Sequence, residues 1–118
     1  MNDRTLLELA ARAAGMQINE QRQAERDAIV DPATASLWIV DGCTAWNSLT
    51  EDGHALRLAV KRGLVVTPDR ENQRTLVSNQ AGHEYCAIYW DKLGEMAATR
   101  LAITEAAAEI GKSMGGGE

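Results

Sequence analysis

Apolar residues recur at helical spacing in three stretches of this chain and gather into short β-branched or aromatic runs in four others. Leu6, Leu9, Ala10, Ala13 and Ala14 fall three and four apart, which predicts a helix ending near Ala14. Thr5 and Glu8 stand in capping-box relation at its start, and Gly15 suits a left-handed stop. In the second stretch Ala55, Leu56, Leu58, Ala59 and Val60 cover a broad arc, opposite a narrower one of His54, Arg57 and Lys61, so the helix is expected to be buried on more than one side. Asn47 or Ser48 can cap it, with Ser48 and Glu51 again of capping-box form. Gly63 closes it, and Lys61 and Arg62 in the last turn suit the helix dipole. The third stretch, from Leu93 or Glu95 to about Lys112, carries a stripe of Met96, Ile103, Ala107, Ile110 and Met114, with many alanines that permit close packing.

The runs Leu37-Trp-Ile-Val40, Leu64-Val-Val-Thr67, Thr75-Leu-Val-Ser78 and Tyr85-Cys-Ala-Ile-Tyr-Trp90 read as strands. Asp41-Gly42, Pro68-Asp69 and residues 79–82 supply the breaks between elements, so the last three strands form an antiparallel meander. Residues 17–28 are polar and fit either a helical extension or a loop with an edge strand, ended by Pro32. The order is helix, strand, helix, three strands, helix. It predicts one α+β domain over residues 1–118, with a small antiparallel sheet of three or four strands packed by about three helices on one face. Residues 1–4 and 113–118 are expected to be flexible ends.

Composition sharpens this picture at two points. Phe is absent, so three Trp and two Tyr are the only aromatics, and the core must rest on Leu, Ile, Val and Ala. Trp38, Trp46 and Trp90 are therefore expected in the core, with Trp46 half exposed at a loop-to-helix junction. The net charge of −5 is unevenly spread: residues 54–74 hold five Lys/Arg against two Asp/Glu, between acidic flanks. Five basic residues on an acidic chain disfavour a nucleic-acid partner, which needs a broad cationic surface. No apolar run long enough to cross a membrane and no signal-peptide core is visible, so a cytoplasmic protein with free thiols at Cys43 and Cys86 is expected.

Candidate chemistry is sparse. His83 and Cys86 lie three apart, but Cys43 and His54 do not complete a common zinc spacing, so neither metal nor cofactor is expected. A hydrolytic enzyme would need His83, Glu84 and a nucleophile such as Ser78 or Cys86 to converge. Gly111-Lys-Ser113 lacks the earlier glycine of a phosphate-binding loop, since Ala106 stands there. The residues left without a structural role are Trp46, Arg57 and Lys61. With Arg62 and Arg74 they form the candidate binding set.

Trp46-Asn47, Leu49-Thr50, Asp52-Gly53 and Ala55-Leu-Arg-Leu-Ala-Val60 resemble the most recognisable block of a family of small uncharacterised proteins encoded by tailed phages and prophages. Residues 6–15 and the ending Ala97-Ala-Thr-Arg100, Ala102-Ile103 and Ala106-Ala-Ala-Glu-Ile-Gly111 resemble the same family's two ends. More distantly, the chain is similar to the NinX group of phage proteins. Ser48 stands where the family usually has proline and His54 where it usually has an acidic residue. The resemblance implies a phage or prophage origin and carries no activity or catalytic residues with it. Together with the lack of a catalytic constellation and the uneven charge, it leads to the expectation of a non-enzymatic phage accessory protein that binds and modulates a host or defence protein, for example an anti-CRISPR inhibitor. A small-ligand binder that sequesters a nucleotide signal through Trp46, Arg57, Lys61 and Arg74 is the alternative, and a hydrolase the second alternative. A homo-oligomer stays open.

Overall fold

The last helix, α4 (Glu95–Met114), organises the molecule: α1 (Asp3–Ala13), α3 (Asp52–Arg62) and two strands of the main sheet all pack against it. The computed structural model describes residues 2–33, 36–39 and 45–114. The remaining elements are α2 (Glu20–Asp27), β1 (Leu37–Trp38), β2 (Ala45–Trp46), β3 (Val65–Asp69), β4 (Arg74–Ser78) and β5 (Glu84–Tyr89). The fold is α+β, with a three-stranded antiparallel sheet in the order β3-β4-β5 and a separate antiparallel pair β1-β2. Among the described residues the helices number four, where the spacing predicts about three. The strands divide between two sheets.

Small side chains let α4 serve several neighbours at once. Ala98, Ala102, Ala106, Ala107 and Ala108 are buried along it, and α1 answers with Leu7, Ala10, Ala11 and Ala13. At Gly111 the two backbones come so close that an added Cβ would overlap the Leu9 carbonyl group, its carbon only 2.8 Å away. The stripe expected on α4 is displaced accordingly. Ile103 and Ala107 are buried, but Met96 and Met114 are exposed at its two ends.

The sheet lays one face on α4. Register pairs Val66 with Val77 and Val77 with Cys86, and Thr75 with Ile88, so these side chains share that face. Trp90 is buried just beyond β5, where its indole N–H donates to Thr75 Oγ1 at 2.9 Å. Thr75 Oγ1 also lies 2.7 Å from Thr99 Oγ1, linking sheet and helix. β3 runs through Pro68 to Asp69 instead of turning there. An edge strand tolerates the missing N–H, and the turn falls at residues 70–73.

Polar residues hold the amino-terminal third. Asn2, not Thr5, caps α1, accepting from the Thr5 N–H at 2.8 Å. Residues 3 and 4, expected among the flexible ends, lie in α1, and the Arg4 N–H donates to the Ala33 carbonyl at 3.0 Å. Residues 20–27 form a true helix capped by Asn19, whose side chain accepts from the Arg22 N–H at 3.1 Å. Gln23, only 3% exposed, fixes α2 to β1: its Oε1 accepts from the Trp38 N–H at 2.7 Å, and its Nε2 donates to the Ser36 carbonyl at 3.2 Å. Asp27 accepts from Arg4 at 2.9 Å and from Gln23 at 3.1 Å. These two bonds, Arg4's foremost, hold its carboxyl below the usual range.

A depressed folded-state pKa means that this stabilisation is complete above the unfolded value, about 3.9, and is lost as pH falls through the lower folded value. Asp27→Asn is therefore expected to melt earlier than the parent at neutral pH, with the difference vanishing below the folded-state value. Thermal melts across the acid range check this. A gap that persists in acid would contradict it.

Candidate functional site

The site begins with the turn that delivers α3 to α4. Trp46 pairs with Leu37 across β2 and β1 and is 6% exposed, so it belongs to the core. His54 stacks beside it, ring centres 6.3 Å apart, and its Nδ1 accepts from the Asn47 N–H at 3.0 Å. Asn47 Oδ1 accepts from the Leu49 N–H at 2.9 Å, and Ser48 Oγ, fully buried, lies 2.7 Å from Thr104 Oγ1 on α4. Neither residue caps the helix. Glu51 occupies that position without a side-chain bond, because Asn47 and Ser48 are used in the turn. Arg100 completes the attachment, donating to the Leu49 carbonyl at 2.9 Å and to Asp52 at 2.7 Å.

Thus anchored, α3 buries one stripe only. Ala55, Leu58 and Ala59 are covered, whereas Leu56 is 64% and Val60 74% exposed. The expected burial on more than one side is not found: α3 packs on α4, and among the described residues Leu56 and Val60 stay exposed on its outer face. Gly63 does end the helix in the left-handed conformation, with φ +63°.

Leu56 borders a groove of about 340 Å³ between α3, β3 and α4, and Val60 lies one turn further along the helix. Ala55, Ala59, Val66 and Ile103 contribute to its apolar lining, with Leu56 and Met96 from the two helices. Met96 is 56% exposed. Asp52 and Arg100 also line the groove and are paired with each other. On α3, helical spacing sets Arg57 and Lys61 on the outer face, beyond Val60 and away from the groove lining, and Arg62 follows in the last turn. All three are exposed and enter no ion pair among the described residues.

Arg57, Lys61 and Arg62 thus share one helix, but Trp46 and Arg74 stand apart from them. Trp46 is covered. Arg74 lies on β4, where strand alternation turns it away from the α4 side. Its guanidinium donates to Asp69 at 3.0 Å, which raises its pKa, and sits 5.9 Å from the Tyr89 ring centre. No single cavity lined by Trp46, Arg57, Lys61 and Arg74 results. The residues that sequence reasoning missed are Leu56, Val60 and Met96, assigned to buried stripes by their spacing. One signal was available: at about 100° per residue the α3 apolar arc is about 200° wide, twice what one packed face uses.

The other chemical candidates are also located. Cys86 donates its thiol to the Ala102 carbonyl at 3.3 Å, and burial, with Glu105 and Glu84 adding, pushes its pKa up to about 12. A thiol so held is a poor nucleophile. His83 is exposed, with its ring edge-on to Tyr85 at 5.0 Å. Cys43 lies outside the described residues. Among those described, no group of three or more His, Cys, Asp or Glu is arranged to hold a metal ion. No described helix is long and apolar enough to cross a membrane.

Comparison with known protein families, characterised proteins and solved structures returns no match.

Proposed function

We propose that this chain is a phage or prophage accessory protein that acts without catalysis in the host cytoplasm, binding a host or defence protein and altering its activity. A CRISPR effector is one such target. The observation that carries the reading is the open face of α3: Leu56, with Met96 across an apolar groove, is exposed, and so is Val60 one turn along the helix. Exposed apolar clusters rimmed by polar residues mark interaction surfaces. The resemblance of residues 46–60 to small phage proteins supplies the biological setting.

Photo-crosslinking in the host cell tests it, with the crosslinker in place of Val60. A covalent adduct with one host or defence protein is expected, together with reduced growth, on defended hosts, of phage lacking the gene. Absence of any macromolecular adduct, with phage growth unchanged, overturns the reading.

A further inference from the structure

We infer that the groove between α1 and α4 is a protein-docking surface separate from the α3 face, and that it takes a cationic amphipathic segment: aliphatic side chains on Leu6, Leu9 and Leu101, and lysine or arginine on Glu105 and Glu109. It lies on the far side of α4 from Leu56, since Glu105 stands two residues, about 200°, around the helix from Ile103 of the other groove. It therefore goes beyond the protein-binding reading above and does not depend on it.

The groove holds about 380 Å³, and the charges that select its occupant are part of its own lining. Leu6 and Leu9 from α1 and Leu101 from α4 are half-buried there, so each leaves apolar surface open to an incoming side chain. Asp3, Glu105 and Glu109 line it against Lys112 alone. None of the four enters an ion pair among the described residues. From Leu101 to Lys112 the α4 side runs about 16 Å, which matches three turns of a docked helix.

Other clefts neutralise their own charges. Asp52 holds Arg100 in the groove beside α3, and Arg4 holds both Glu8 and Asp27 in the cleft beside α2. Between α1 and α4 the carboxylates stay uncompensated. Arg12, the next cation along α1, donates to the Gly111 carbonyl at 3.5 Å and does not line the groove. Glu105 is the half-buried carboxylate of the set, and burial raises its pKa above the ordinary value. An ammonium or guanidinium brought beside it offsets that burial, whereas a carboxylate from the partner adds to it.

Fluorescence anisotropy against the full chain tests the inference with two lysine-filled peptides of about 18 residues, one with leucine at i, i+3, i+4 and i+7 spacing and one with serine at those positions. The leucine peptide is expected to bind about tenfold more tightly. Because a chain of net charge −5 attracts any cationic peptide, two double variants separate the groove from the overall charge. E105Q/E109Q should weaken the leucine peptide about fivefold or more, whereas E71Q/D91Q, which removes the same charge from exposed positions outside the groove, should leave its affinity within about twofold. Glutamine keeps the size of glutamate, and circular dichroism melts close to the parent's would establish that both variants remain folded. Equal binding of the two peptides, no binding, or equal losses in the two double variants overturns the inference. So does self-association of the parent chain that E105Q/E109Q dissolves, which would place a second copy in the groove. Neither double variant alters α3, so adducts from Val60 test the protein-binding reading separately, and either can fail while the other stands.

Discussion

Gly111→Ala is expected to destabilise the protein by about 3 kcal/mol or more, at or beyond the upper end of what overpacking usually causes. The direction is informative because intrinsic preference points the other way: alanine in a helix interior is favoured over glycine by about 1 kcal/mol. What reverses the sign is the α1–α4 approach. The new methyl group would overlap the Leu9 carbonyl and stand 3.4 Å from the Ala13 nitrogen, and backbone cannot swing aside as a flexible side chain can. The helices would have to separate along the seam of Leu7, Ala10, Ala13, Ala106 and Ala107, all buried. Gly53→Ala is the matched control. An added Cβ there meets nothing within 4 Å, so that change should be neutral or stabilising by up to about 1 kcal/mol. Urea titrations of the two variants check the opposite signs. Similar behaviour of both would contradict the close approach.

Leu58→Ala should cost about 2–5 kcal/mol, whereas Leu56→Ala should stay within about 0.5 kcal/mol of the parent. The two leucines are two residues apart on the same helix. Leu58 is fully buried, however, and its loss would remove contacts and leave a void, while Leu56 is mostly exposed. Equal losses at the two positions would mean that α3 is covered on both sides. Denaturant midpoints of the purified variants decide between these outcomes.

These contrasts also show where the sequence was legible. Periodicity locates α1, α3 and α4 and the strands of the meander, because each buries a regular face that composition can display. It places β1 within Leu37-Trp-Ile-Val40 but misses its partner β2, since a two-residue strand carries no period. It leaves α2 open because that helix is held by Gln23 hydrogen bonds and by Asp27 with Arg4, not by an apolar stripe. Capping is misplaced for a related reason. Thr5, Asn47 and Ser48 are all competent caps, but in α1 Asn2 accepts from the Thr5 N–H, and Ser48 is drawn instead to Thr104.

The candidate site was legible only in part. Charge marked Arg57, Lys61 and Arg62 correctly as surface cations, yet it grouped them with Arg74, which the fold commits to Asp69 on the other side of the sheet. Leu56, Val60 and Met96 escaped because an apolar residue at helical spacing reads the same whether it meets the core or stands exposed. Only the packing of α3 on α4, which leaves Leu56 and Val60 open among the described residues, separates the two cases.

The most direct test of the account compares photo-crosslinking yields from Val60 with those from Ile29, at 74% and 82% exposure the two most open large apolar side chains among the described residues. If α3 and its groove form the docking surface, adducts with the partner will appear from Val60 and not from Ile29. Equal yields at both positions, or adducts from Ile29 alone, would contradict it.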